Sequence, residues 1–182
     1  MRQKIRLLRV AREAVYQYAA RGSAPSVEED DERLKVRQGV FVSLHINQRL
    51  RGCMGMIIGD GPLCEAVSQC AVNAASEDPR FAPIRMDEVP KVDIELSVLG
   101  PMQRAEADDI EVGTHGIFVT KGRVRGILLP QVATQFNWTS EKFLSETCVK
   151  AGLDPEAWRD DDCFIEIFTA EVCCESEMRP ED

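Results

Sequence analysis

The chain has 182 residues, of which 44% are hydrophobic and 29% charged, and its formal net charge is -9. A chain of this length buries a core of its own without disulfides or metal ions, and its average composition excludes disordered, collagen-like and coiled-coil proteins. The longest apolar stretch, from Gly52 to Ile58, is far shorter than the roughly 20 residues that cross a bilayer, and no signal-peptide pattern opens the chain. We therefore predict a cytoplasmic protein with no membrane partner.

The negative charge is concentrated in the second half of the chain. Residues 1–99 carry 14 basic and 14 acidic side chains, whereas residues 100–182 carry 8 basic and 17 acidic ones. Nucleic acid is not an expected partner, because phosphate binding requires a basic surface. One basic segment precedes the first acid, Glu13, and consists of Arg2, Lys4, Arg6, Arg9 and Arg12. A solvated helix face is the favoured interpretation of this segment, with contact to an anionic surface as the alternative.

The cysteines show no disulfide or metal-binding pattern. They are Cys53, Cys64, Cys70, Cys148, Cys163, Cys173 and Cys174. Their odd number and irregular spacing predict reduced thiols. With only two histidines, His45 and His115, the chain is not expected to hold a metal ion, and no motif indicates another cofactor.

The first half of the chain shows one helix followed by two strands. Apolar residues at helical spacing predict a helix over 5–18, and residues 21–37 are predicted to form a loop that joins it to the main body. Alternating apolar residues predict strands over 40–46 and 50–56. A stripe of small apolar residues over 63–75 then predicts a helix, which ends before Pro79.

The second half alternates strands and short helices. Strands are predicted over 92–98, 117–120, 123–129 and 163–168, the last of these being the final strand. Helices are predicted to begin at Pro130, over 139–150 and at Asp154-Pro155, and an acidic tail covers 176–182. Hairpins and segregated helices predict an α+β fold with a mostly antiparallel sheet flanked by helices, in a single domain over 1–182.

The two strands of the first hairpin can be placed in register from their apolar faces. A two-residue loop would pair Leu44 with Arg51 and mix the two faces. A three-residue loop instead pairs Ile46 with Leu50 and Val42 with Met54. It then places His45 opposite Arg51 and Ser43 opposite Cys53 on the other face, where cross-strand side chains are close neighbours.

This cluster has a chemical and a structural interpretation. A thiol at Cys53 beside Arg51 is activated as a nucleophile, and Gly52 and Gly55 leave the backbone open to a ligand. In the structural alternative, Cys53 is a small core residue, and the two glycines serve a bulge or the close packing of a helix.

The segment Leu50-Arg51-Gly52-Cys53-Met54-Gly55 also resembles a known family hallmark, Leu-Arg-Gly-Cys-Ile-Gly-Thr. Met54 and Met56 replace its isoleucine and threonine. Further matches lie at 39–44, Asp78-Pro79-Arg80-Phe81, His115-Gly116-Ile117, 128–133, Trp138, 150–153, Trp158 and Glu175. By these motifs the chain resembles the AMME candidate-region (AMMECR) domain family, whose prokaryotic members include protein A of the AmmeMemoRadiSam system.

The resemblance implies an α+β fold with a larger and a smaller lobe and the hallmark near a cleft between them. It implies no established reaction. Family members are encoded beside a Memo-like protein and a radical-SAM protein, which we therefore expect as partners. The implied role is an accessory or catalytic component of a modification pathway, and the alternative is a non-catalytic module that binds a protein or peptide.

Three further residues are candidates for the same site. Arg80 is expected to bind a substrate anion or to pair with Asp78 at the helix exit. His115, in a flexible loop, suits general acid or base chemistry, and Gln131 lies at a helix start where free N–H groups attract anions. Solvation of the histidine and an ordinary helix start at Pro130 are the structural alternatives. His45 belongs to no family motif, so His115 is the better partner for Cys53.

We therefore predict Cys53 and His115 as catalytic residues. The predicted substrate-binding residues are Arg51, Gly52, Gly55, Arg80 and Gln131. In this hypothesis, Cys53 acts as nucleophile or thiol donor, Arg51 and backbone N–H groups hold a substrate anion, and His115 moves the proton.

Overall fold

A computed structural model describes residues 2–178 of the chain. The helices are α1 (Arg2–Arg21), α2 (Leu63–Ser76), α3 (Pro130–Gln135), α4 (Ser140–Lys150) and α5 (Glu175–Met178). The strands are β1 (Val40–Ile46), β2 (Arg49–Met56), β3 (Val92–Leu99), β4 (Gln103–Arg104), β5 (Gly116–Lys121), β6 (Val124–Leu128), β7 (Cys163–Phe168) and β8 (Ala170–Cys174). The chain divides into two compact units, one formed by Met1–Leu99 with Glu171–Asp182 and the other by Gly100–Ala170.

The first unit contains a four-stranded sheet in the order β2-β1-β3-β8. Helix α2 packs on β1 and β2 and also against α1. Val40, Val42 and Leu44 alternate along β1 and are completely buried in this core. The intervening residues, including Ser43 and His45, therefore lie on the opposite face of the sheet, because successive side chains of a strand point to opposite faces.

The second unit contains a four-stranded sheet in the order β4-β7-β5-β6. Helix α4 begins after Thr139, whose side chain accepts a hydrogen bond from the Lys142 backbone N–H, and it packs on β5 and β6. Phe143 of this helix and Ile117 of β5 are completely buried in the core of the unit. This unit thus has a hydrophobic core of its own.

The predicted α+β class is confirmed, and the strands pair antiparallel in two sheets. Two strands escaped prediction: the two-residue β4, and β8, which follows the strand that we expected to be the last. Each of the two lies at the edge of its sheet, and neither shows the apolar alternation that predicted the other strands. The short helix predicted at Asp154-Pro155 is a 3-10 turn at Ala157–Arg159.

Both predicted irregular segments contain some regular structure. The loop expected over 21–37 includes a 3-10 turn at Glu32–Leu34, capped by Asp31. The predicted acidic tail begins within α5, and its residues 179–182 lie outside the described residues. Among residues 2–178, no helix is both long and apolar enough to span a membrane.

Candidate functional site

The first hairpin turns through two residues, and a bulge follows directly in β2. Asn47 and Gln48 form the turn with φ of 51° and 62°. Ile46 pairs with Arg49, and Arg51 is the extra residue that opposes no single partner on β1. The predicted three-residue loop is therefore wrong, and so are the predicted pairings of Ile46 with Leu50 and of His45 with Arg51. The bulge lets a short turn coexist with the apolar register, because an extra residue shifts all later pairs by one position.

Beyond the bulge, the predicted register is confirmed. Val42 pairs with Met54, and Ser43 pairs with Cys53. The Ser43 hydroxyl donates a hydrogen bond to Sγ of Cys53 over 3.3 Å. Cys53 is half-buried, while Ser43 is buried. The hairpin thus brings a hydroxyl donor to a partly accessible sulfur, and a donor in this position stabilises negative charge on that sulfur.

Asp78 links this sulfur-bearing strand to the segment that follows α2. Its Oδ2 accepts a hydrogen bond from the Cys53 backbone N–H over 2.8 Å. Its Oδ1 accepts from the backbone N–H of Arg80 over 3.1 Å, which closes a turn around Pro79. The structural interpretation of Asp78 as a clamp at the helix exit is confirmed, and the bond to Cys53 extends it to the hairpin.

Arg80 forms a two-point ion pair with the same carboxylate. Its Nε and Nη2 donate to Asp78 over 2.9 and 2.7 Å. This pairing, aided by the backbone bonds, lowers the pKa of Asp78 to about 2. Asp78 is 3% exposed and Arg80 is 56% exposed, so the pair presents its cation to solvent. Within residues 2–178, Nη1 of Arg80 makes no hydrogen bond and is available to an external anion.

The guanidinium of Arg51, in contrast, already has hydrogen-bond partners within the protein. Its guanidinium makes a two-point pair with Glu88, at 2.9 Å through Nε and 3.0 Å through Nη2. Its Nη1 donates to the backbone carbonyl of Ala82 over 2.8 Å. The ion pair lowers the pKa of Glu88. Arg51 therefore holds the segment after Arg80 against the hairpin. No local feature of the sequence indicated that Glu88 would be its partner.

Gly52 and Gly55 face atoms that leave no room for a side chain. A Cβ at Gly52 would lie 2.1 Å from the carbonyl oxygen of Ala74 in α2, and one at Gly55 would lie 2.4 Å from the Phe41 ring. Close approach of a helix and of an aromatic ring thus explains both glycines. Their predicted contact with a substrate stays a prediction.

The other six cysteines lie in different surroundings, and none of the seven forms a disulfide. Five of them are buried, namely Cys64, Cys70, Cys148, Cys163 and Cys173. Burial raises the pKa of Cys70 and Cys148 to about 11. Cys174 is half-buried like Cys53, but burial and the carboxylate of Glu95 raise its pKa to about 12. The raised pKa values keep Cys70, Cys148 and Cys174 as neutral thiols at neutral pH.

The remaining candidates belong to the second unit, whereas Cys53 belongs to the first. His115 is half-buried, and its Nδ1 accepts a hydrogen bond from the Glu111 backbone N–H over 3.1 Å. A neutral imidazole in this arrangement carries its proton on Nε2. Gln131 is half-buried in the first turn of α3. Pairing of His115 with Cys53 across a cleft stays a prediction.

The fold and the site together define a class of α+β proteins that carry a hairpin cysteine beside a buried aspartate paired with an exposed arginine. Comparison with family models assigns residues 8–173 to AMMECR1. The chain therefore belongs to the AMMECR1 family.

Relatives in the same family are close in sequence and structure. A Methanopyrus kandleri protein is 41% identical over 181 residues, which cover 94% of this chain and 87% of that protein. A Thermococcus gammatolerans protein is 40% identical over 178 residues, which cover 91% of this chain and 87% of that protein. The crystal structure of an uncharacterised Pyrococcus horikoshii protein matches with a TM-score of 0.89 at 39% identity, covering 93% of this chain and 89% of that one.

Proposed function

We propose that this protein is a thiol-dependent component of a cytoplasmic modification pathway, in which Cys53 reacts with an electrophilic substrate. The proposed partners are a Memo-like protein and a radical-SAM protein, on the strength of the family resemblance. One observation carries the thiol chemistry. Of the seven cysteines, all within residues 2–178, Cys53 is the one that combines partial exposure with a hydroxyl donor and a nearby cation.

Each group near Cys53 has a definite task in the proposed reaction. The sulfur gives an electron pair to an electrophilic carbon, and the leaving group departs with the electrons of the broken bond. The thiol proton passes to a base or to the leaving group. His115 is the candidate carrier of this proton. Ser43 stabilises negative sulfur, and Arg80 holds a substrate carboxylate or phosphate through its open Nη1.

This assignment gives the substrate anion to Arg80 and not to Arg51. Arg51 donates from all three guanidinium nitrogens to Glu88 and to a backbone carbonyl, so each nitrogen already has a partner in the protein. Arg80 shares only two of its nitrogens with Asp78 and is more than half exposed. We therefore treat Arg51 as a positioning residue for the segment that carries Arg80.

Alkylation of the folded protein tests the reactivity of Cys53. After brief treatment with iodoacetamide at neutral pH, peptide mapping is expected to show Cys53 labelled about ten-fold faster than Cys174. Arg80→Gln is expected to slow labelling of Cys53 several-fold, whereas Arg85→Gln, which changes an exposed arginine outside the site, leaves it unchanged. Equal labelling of Cys53 and Cys174 would contradict the proposal.

Substitution of the sulfur separates an enzyme from a binding module. Cys53→Ser is expected to stop substrate modification while the protein still copurifies with its two partners, and Cys174→Ser is the matched control. A non-catalytic module predicts the reverse: activity survives Cys53→Ser, and changes on the surrounding surface abolish complex formation. His115→Gln tests the proton carrier, and it is expected to change the pH profile of the reaction.

A further inference from the structure

A groove runs along α1 and shares no lining residue with the Cys53 site. It has a volume of about 890 Å³ and lies between α1 and the segment over 24–28. From α1 it is lined by Arg6, Arg9, Arg12 and Tyr16, among others. A second cavity of about 590 Å³ shares Arg6 and Arg9 with it and extends toward the start of the helix. The groove thus follows the basic segment of the sequence.

The three arginines of the groove differ in their engagement. Arg12 is bound to Glu175 and to the backbone carbonyls of Val89 and Val92. Arg6 is paired with Glu29 over 2.8 Å. Arg9 is exposed and makes no ion pair or hydrogen bond within residues 2–178. One cation in the middle of the groove is therefore open to a ligand.

The acidic segment of the chain shows which chemistry this helix accepts. Glu29 places its carboxylate on Nε of Arg6, and the backbone carbonyl of Glu28 accepts from Nη2 of the same arginine over 2.9 Å. The Glu29 side chain is only 10% exposed in this arrangement. An acidic segment of the chain thus already binds α1 at Arg6, one helical turn from Arg9.

The groove also offers apolar surface beside its cation. Tyr16 is 51% exposed, and Pro25 and Val27 line the facing wall. From Arg6 to Gln17 the helix rises about 16 Å, which matches about five residues of extended peptide. An occupant with carboxylates and an apolar side chain therefore fits both the charge and the length of the groove.

A membrane surface fits less well than a peptide. The apolar face of α1, which includes Leu8, Ala11 and Val15, is buried in the core of the unit. An interfacial helix needs that face free to enter the lipid. The groove is concave, whereas a bilayer presents a broad flat surface.

We infer that the groove along α1 is a docking site for a short, extended acidic segment of a partner protein. One carboxylate of the segment binds Arg9, and an apolar side chain of the segment packs on Tyr16. Glu13 follows Arg9 by one helical turn and lowers the local positive potential, which limits the affinity. The site is independent of the chemistry proposed for Cys53.

A random copolymer of glutamate and tyrosine, labelled with a fluorophore, serves as the probe for binding by anisotropy. Arg9→Glu is expected to weaken binding about ten-fold, and Glu13→Gln to strengthen it about two-fold. Arg37→Glu makes the same charge change on an exposed arginine outside the groove, and it is expected to leave the affinity within two-fold. Binding is expected to weaken with added salt, because the contact is between exposed charges.

Several results would overturn the inference. Equal weakening by Arg9→Glu and Arg37→Glu would show attraction to net charge alone. Absence of binding at millimolar copolymer would exclude the site, as would equal affinity for a lysine–tyrosine copolymer. Arg9-dependent binding to phosphatidylserine vesicles without copolymer binding would show that the groove binds a membrane and not a peptide. Unchanged alkylation of Cys53 in each variant confirms that the fold is retained and separates this test from that of the proposed function.

Discussion

Asp78 and Cys53 are joined by a hydrogen bond of 2.8 Å from the Cys53 backbone N–H to Oδ2 of the buried carboxylate. The same carboxylate pairs with Arg80. One acidic side chain therefore fixes both the backbone of Cys53 and the cation beside it. The consequences of this arrangement are measurable in stability as well as in reactivity.

Asp78 is expected to make stability depend on pH in a narrow acid range. Its pKa is lowered from 3.8 to about 2 in the folded protein, so its contribution is fully present above about pH 4 and is lost as the pH falls through 2. This contribution is about 2 kcal/mol. Urea unfolding of Asp78→Asn is expected to show lower stability at neutral pH and a smaller loss between about pH 4 and pH 2 than the wild type.

Asp87 provides the matched control for that measurement. It also pairs with an arginine, Arg85, but its side chain is 59% exposed. Solvent screens such a pair, so Asp87→Asn is expected to leave the pH profile close to that of the wild type. A profile of Asp78→Asn that parallels the wild type would contradict the role of Asp78.

The ion pair between Arg51 and Glu88 is expected to hold the segment around Ala82 against the hairpin. Both side chains are less than one-fifth exposed. A double-mutant cycle with Arg51→Gln and Glu88→Gln is expected to give a coupling of about 1 to 2 kcal/mol. Hydrogen exchange over 81–88 is expected to accelerate in both single variants. Coupling near zero would show that the ion pair makes no net contribution to stability.

Gly52 is expected to tolerate no side chain. Gly52→Ala would place a methyl group 2.1 Å from the Ala74 carbonyl oxygen, so the helix or the strand must shift. We expect a loss of about 1 to 3 kcal/mol in the free energy of unfolding. Gly61→Ala is the control, because its Cβ would lie 3.7 Å from the nearest atom, Oε2 of the flexible Glu65 side chain. Similar losses in both variants would argue against the packing explanation.

The turn of the first hairpin is expected to be stabilised by glycine. Gln48 has a φ of 62°, which costs free energy for a residue with a side chain. Gln48→Gly creates an Asn-Gly turn and is expected to stabilise the protein by about 0.5 to 1 kcal/mol, measured as a rise in Tm. A fall in Tm would show that the glutamine side chain makes a contact that outweighs the strain.

Local sequence features identified much of the candidate site. The pairing of Ser43 with Cys53 followed from the apolar alternation of two strands, and Asp78-Pro79-Arg80 indicated a turn held by a salt bridge. The register at the end of the hairpin was not predictable in this way. It depends on a bulge at Arg51, which is held by Glu88 from a part of the chain 37 residues away.

The sequence by itself determined the α+β class and most helices and strands, because periodicity and residue spacing are local properties. Only the tertiary structure decided which arginine is open to a ligand, since Arg51 and Arg80 look alike until their partners are known. It also decided that β8 completes the first sheet, because an edge strand without alternation is recognised only by the strand beside it. Charge pairing and strand pairing both depend on residues that are distant in the chain, so local sequence patterns do not identify the partners.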